Sequence, residues 1–198
     1  MGRREEILEL TKKLKIVDAN DLETRGISRN YLYLMHKEGT LDVMAPGLYT
    51  LPHEAWDENT NLMAMAKQIP KAVISLVSAL NFHQITTQIP HKLWIFLPRG
   101  AWYPAIHYPP FHLNYVSGEA FTFGVEEHLI HGVTVKIYSP AKTVADCFKF
   151  RNKIGLDIAL EGLREAWNSK KASIDELVEA AKINRVLKVM QPYMEAMV

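Results

Sequence analysis

Apolar side chains recur at helical spacing before residue 40, and the spacing then changes. Ile7, Leu8, Leu10 and Leu14 form a stripe along residues 5–14, and Lys12 and Lys13 fall off it. Asp18 or Asn20 can cap a short second helix over Asp21–Thr24, which Gly26 ends. A third helix is predicted over Ser28–Glu38, with Ser28 at the N-cap, Leu32 and Met35 facing inward and Gly39 at C′. Leu41–Val43 and Leu48–Leu51 then read as short strands on either side of Ala45-Pro46-Gly47, a turn sequence. Three helices and a two-stranded ribbon in about fifty residues is the pattern of a winged helix-turn-helix.

The pattern after Pro52 is different. Pro52–Asn61 is polar and turn-rich and reads as a hinge. Helices are expected over Asn61–Ile69, stopping at Pro70, and over Ser75–Phe82. Lys92–Leu97, Leu113–Val116 and Ala120–Phe123 read as strands. Glu126–Ile130 and Val133–Tyr138 read as a hairpin around His131-Gly132. Ser139-Pro140 should start a helix that runs to about Phe150. Helices over Gly155–Asn168, Ser173–Lys182 and Asn184–Met197 follow. Ser173 and Glu176 form a capping box for the second of these, and Pro192 should kink or break the last. The expected fold class is α+β. A winged helix over residues 1–52 precedes a mixed α/β domain over 53–198, with antiparallel strands and a helical C-terminal tail.

Composition removes several classes. Apolar runs such as Leu93–Leu97 do not exceed five residues, far too short to span a membrane, and the charged start MGRREEILEL has no signal-peptide core. With Cys147 as the only cysteine there is neither a disulfide framework nor zinc-finger spacing. A cytoplasmic location without membrane association is expected. Net charge is +1, and residues 1–52 hold eight basic and eight acidic side chains, so no global field draws the chain to nucleic acid.

The third helix carries the candidate chemistry. With Leu32 and Met35 inward, Asn30, Tyr33, Leu34 and Lys37 point outward, with Arg29 beside them. Asn suits adenine, Arg suits guanine, and Lys and Tyr suit phosphates. A solvated helix with incidental polar residues explains the composition equally well. The wing from Thr40 to Leu51 contains no Lys or Arg.

Two stretches together, GISRNYLYLMHKEGTLDVMAPGLYTL and the later AVISLVSALNFH with VKIYSPAKTVADCFKF, resemble the AbiEi family of antitoxins. The resemblance runs over roughly residues 5 to 155. Members of that family pair with a nucleotidyltransferase-like toxin in type IV abortive-infection systems. The resemblance implies an N-terminal domain that binds operator DNA and represses its own operon. With a neutral N-terminal domain and no base in the wing, useful affinity is expected only when two protomers occupy an inverted repeat or when the C-terminal basic cluster joins in. It also implies a C-terminal domain that counters the toxin, through the toxin itself or its target, without chemistry of its own. The DNA-contact set under this reading is Ser28, Arg29, Asn30, Tyr33 and Lys37 on the helix, with Tyr49 in the wing. Family wings usually read Arg-Gly-hydrophobic-Tyr at the tip, and here Pro46 stands in place of the base. The alternative is a protein-interaction module whose winged helix does not bind DNA.

No enzyme is expected. Ser139-x-x-Lys142 matches the start of a serine acyl-transferase motif, but its companion motifs are absent and a helix cap accounts for it. Asp146 reads as a structural carboxylate tying its helix to the sheet. His128 and His131 lie three apart on a hairpin, which alternation sends to opposite faces, so no metal is expected. No cofactor motif occurs. The aromatics from Trp94 to Tyr115 read as core rather than as a stacking platform. Lys142, Lys149, Arg151 and Lys153 give one twelve-residue stretch a charge of +3. Residues 142, 149 and 153 share a face if the helix continues that far, and a contact with phosphate or an acidic partner competes with plain solvation.

Overall fold

A computed structural model describes residues 2–57 and 59–197. The chain divides into two compact units. The first comprises residues up to Pro70 with Ala105–Pro109 and Leu129–Val135, and the remainder forms the second. The first unit therefore extends beyond the segment 1–52 marked out by sequence pattern. One residue of the expected hinge, Glu58, lies outside the described residues, as do the terminal Met1 and Val198.

The first unit begins with α1 (Arg3–Leu14), which buries Ile7, Leu10, Thr11 and Leu14. Asp18 caps α2 (Ala19–Glu23): its side chain accepts the Asp21 N–H at 3.0 Å, and the Asp21 carboxylate accepts the Asp18 N–H at 2.9 Å. Then α3 (Asn30–Lys37) buries Leu32 and Met35. This helix starts two residues later than expected. Ser28 Oγ accepts the Asn30 N–H at 3.4 Å, just outside the helix, and Arg29 holds the cap position. The ribbon of β1 (Asp42–Ala45) and β2 (Leu48–Thr50) is antiparallel, with a bulge between Val43 and Ala45. Its turn uses Gly47 at φ 80°, which glycine adopts without a Cβ clash. Val17 and Tyr49 exchange backbone hydrogen bonds at 2.9 Å, adding a third short strand contact to the wing. Ile7, Leu10, Leu14, Val17, Leu22, Ile27, Leu32, Met35 and Leu41 form one core. α4 (Thr60–Gln68) completes the unit. Its Lys67 Nζ lies 2.5 Å from Asp21 Oδ2 and 3.4 Å from Asp18 Oδ2, only 7% exposed, so the acidic cap of α2 also anchors α4.

The main sheet has the order β5-β4-β3-β7-β6, with β3 (Val73–Ile74), β4 (Leu93–Pro98), β5 (Phe111–Val116), β6 (Val125–Ile130) and β7 (Val133–Tyr138). The antiparallel arrangement expected of the sheet occurs between β4 and β3, a strand that the sequence pattern does not anticipate. It fails for β4 with β5 and for β3 with β7, which run parallel, so the sheet is mixed. Parallel neighbours need a long return path. For β4 and β5 that path is residues 99–110, which form neither helix nor strand. The interior position of β4, between β5 and β3, explains its unbroken apolar run, since Leu93, Ile95, Phe96 and Leu97 are all buried. The hairpin is as expected: His131 and Gly132 take φ 46° and 83° in a two-residue turn. Ala120–Phe123 is not a strand. Gly118 redirects the chain, and one helical turn, α6 (Glu119–Thr122), follows.

Helices complete the second unit. α5 is Leu76–Phe82, and α7 (Pro140–Lys149) is the centre of the helical layer, burying every residue from Ala141 to Phe148. α8 (Arg151–Ile154), α9 (Leu156–Asn168), α10 (Ile174–Ile183) and α11 (Leu187–Glu195) follow. Ser173 and Glu176 form the expected box at the start of α10. Pro192 lies inside α11, which continues through it. Phe96, Tyr138, Val144, Phe148, Leu163, Leu177 and Met190 belong to one core cluster under α7.

Candidate nucleic-acid interface

α3 presents two different surfaces. At about 100° per residue, Asn30, Tyr33, Leu34 and Lys37 span an arc of roughly 100°. All four are exposed, as are Ser28 and Arg29, while Leu32 and Met35 are buried on the opposite side. Five of the six expected contact residues are thus exposed: Asn30, Tyr33 and Lys37 on one side of α3, and Ser28 and Arg29 at its start. Lys37 Nζ lies 5.0 Å from the centroid of the Tyr33 ring, so the aromatic face holds the ammonium above the helix surface.

Tyr49 differs from the other five. It is half-buried, packs against the helical core and pairs through its backbone with Val17. Its ring meets His36 edge-on at 6.3 Å, and His36 Nδ1 lies 3.0 Å from Leu41 O. Tyr49 therefore positions the wing against the end of α3. Arg4 Nη2 donates to Glu38 Oε1 at 2.8 Å and braces α1 on the same end of the helix. Leu34, which the candidate set omits, is exposed as well. An outward apolar position carries no hydrogen-bonding signal that sequence inspection would select.

The basic stretch is taken apart by the fold. Lys142 is buried and donates to both Asp146 oxygens. Lys149 is exposed at the end of α7, and the helix breaks at Phe150, so residues 142, 149 and 153 share no continuous face. Arg151 Nη1 donates to Phe148 O at 2.8 Å, and Lys153 Nζ donates to Asn114 Oδ1 at 2.7 Å. Lys142, Arg151 and Lys153 thus each have a separate local partner.

The other candidates resolve structurally. Ser139 Oγ accepts the Lys142 N–H at 3.4 Å as the cap of α7, with Pro140 in the first turn. Asp146 ties its helix to α10 rather than to the sheet, because Asn184 Nδ2 donates to it at 2.8 Å from the end of α10. Burial pushes the Asp146 carboxyl up and the Lys142 ammonium down, and the ion pair opposes both shifts. His128 Nε2 lies 3.1 Å from Glu126 and His131 Nε2 lies 3.3 Å from Asp57, so the two imidazoles engage different carboxylates. Burial would raise the Asp57 pKa, but hydrogen bonds with Thr60, His131 and the Asn59 N–H outweigh it and hold the carboxyl below its ordinary range. Among the described residues no cluster of three or more His, Cys, Asp or Glu is arranged to hold a metal. The aromatics divide: Phe96 is buried, whereas Trp102 and Tyr103 are exposed on the 99–110 loop.

Three helices, a β-ribbon and an exposed polar face on the third helix define a winged helix-turn-helix. Residues 5–52 match the family model described as transcriptional regulator, AbiEi antitoxin. The match ends with the wing, short of the 5–155 span over which the sequence carries the resemblance. No curated protein matches the chain. Among the described residues no helix is long and apolar enough to cross a membrane.

Proposed function

We propose that this protein is the antitoxin and autorepressor of a type IV toxin–antitoxin operon. Its α3 enters the major groove of an inverted-repeat operator as one half of a dimer. The observation that carries the reading is the exposed arc of Arg29, Asn30, Tyr33 and Lys37 on a helix whose other side is committed to the core. Arg and Asn offer base-edge hydrogen bonds, and Lys and Tyr offer phosphate contacts. The balanced charge of residues 1–52 limits what one protomer contributes electrostatically, which favours paired protomers. Residues 53–198 counter a nucleotidyltransferase-like toxin, through the toxin or through its target. Both roles place the protein in the cytoplasm.

The test has two arms. A mobility-shift titration uses duplex DNA from immediately upstream of the protein's own gene. Co-expression with the adjacent gene measures relief of growth arrest. The expected result is a saturable shift and restored growth. Restored growth without a shift favours an interaction module, in which α3 packs on a protein.

A further inference from the structure

We infer that Leu34 reads the C5 methyl group of thymine in the operator, which makes it a specificity-determining residue of the α3 face. The inference rests on the operator-binding reading above.

Leu34 lies in the middle of α3 and is 45% exposed. The helix does not need it for packing, because Leu32 and Met35, at 2% and 1% exposure, already fill the core side. Tyr33, its exposed aromatic neighbour, is turned to Lys37 at 5.0 Å. Leu34 therefore stands as an exposed branched apolar side chain among polar reading groups.

The groove supplies a complementary feature of one kind. Base edges in the major groove present donors and acceptors throughout, and the thymine C5 methyl is the apolar exception. Asn30 lies one turn before Leu34 on the same side of the helix, and asparagine pairs with the N6 and N7 of adenine. An Asn followed one turn later by a Leu suits neighbouring A·T and T·A pairs, adenine by hydrogen bonds and thymine by its methyl. Neither contact needs charge, in keeping with a neutral winged-helix segment. Burying one methyl-sized group is worth about fourfold in affinity, from about 0.8 kcal/mol per group at 1.4 kcal/mol per tenfold.

The experiment compares two duplexes of the protein's own upstream DNA, one made with thymidine and one with deoxyuridine, which lacks only the methyl. Full-length protein is titrated into both, together with Leu34→Ala, whose folding is checked by its thermal transition. Wild type is expected to bind the deoxyuridine duplex about fourfold more weakly per methyl contacted, or about fifteenfold for two half-sites. Leu34→Ala is expected to lose a similar factor on the thymidine duplex and to bind both duplexes alike. Equal binding of wild type to both duplexes overturns the inference without any variant. So does a Leu34→Ala protein that keeps the wild-type preference for thymidine. Failure of wild type to bind either duplex removes the operator reading itself, an outcome distinct from binding without methyl discrimination.

Discussion

The Lys142 ammonium donates to both carboxylate oxygens of Asp146 at 2.6 Å, one turn along α7, with the two side chains 0% and 1% exposed. A salt bridge this dry gains little net stability, because desolvating two charges offsets their attraction. What it supplies is geometry. Lys142 Nζ lies 4.3 Å from the centroid of the Tyr138 ring on β7, and Asp146 accepts from Asn184 at the end of α10. The pair thus places α7 relative to both the sheet and the following helices.

Breaking one member leaves an uncompensated buried charge. Lys142→Met is expected to lower unfolding stability by about 3–5 kcal/mol. Lys142→Met with Asp146→Asn is expected to recover much of that loss, since the amide still accepts from Asn184 and no charge remains. Urea denaturation of the single and double variants measures the coupling. Additive losses would show that the two residues act independently.

A second expectation concerns pH. His83 closes α5, and its Nε2 lies 2.7 Å from Tyr138 O. Burial is the largest influence and holds its imidazole below the ordinary value, with help from the charges of His128 and Lys171. The Tyr138 carbonyl and Glu126 pull the other way, and the net shift is downward. A depressed imidazole stabilises the fold at pH above its ordinary value of about 6.5, and that stability is lost as pH falls through the folded value. The urea midpoint should therefore drop between about pH 7.5 and about pH 5.5, with a smaller drop in His83→Gln. Glu161 and Glu176, whose carboxyls are held low by hydrogen bonds from Thr86, Thr87 and Ser173, act at lower pH and do not produce the same slope. An unchanged slope in His83→Gln would assign the pH response to other groups.

The elements that sequence pattern predicts well are those written locally. The Ser139-Pro140 start of α7, the Ser173–Glu176 box and the His131-Gly132 turn each depend on neighbours within four residues. The features it misses depend on distant partners. β3 is two residues long, too short for any periodicity, and exists because β4 and β7 flank it. The direction of β5 relative to β4 is set by a twelve-residue return path that apolar alternation does not encode. Lys142 looks solvated by charge count, and its burial follows only once Asp146, Tyr138 and Asn184 converge on one interior. The exposed side of α3 was legible because its inward partners, Leu32 and Met35, obey the helical period. The half-burial of Tyr49 is not written locally, because its backbone pairs with Val17 across 32 residues.

Arg29 and Lys37 bracket the reading face and should fail differently when removed. Arg29 holds the cap position of α3, at the end of a recognition helix that approaches base edges, and its side chain is exposed. Arg29→Ala should weaken operator binding by about 1–3 kcal/mol and relax specificity at one base pair. Lys37 occupies the last turn, held over the Tyr33 ring, where a phosphate is the nearer target. Lys37→Ala should weaken binding to all sequences alike and lower the salt slope by about one charge per protomer. Removing the ring with Tyr33→Ala should reproduce part of the Lys37 effect, because the ammonium loses the face that positions it. Neither Arg29 nor Lys37 is buried, so thermal transitions should be unchanged. Titrations of upstream and unrelated duplexes at two salt concentrations separate the two patterns. If both variants bind like wild type at low salt, α3 is not the reader, and its exposed face belongs to a protein contact instead.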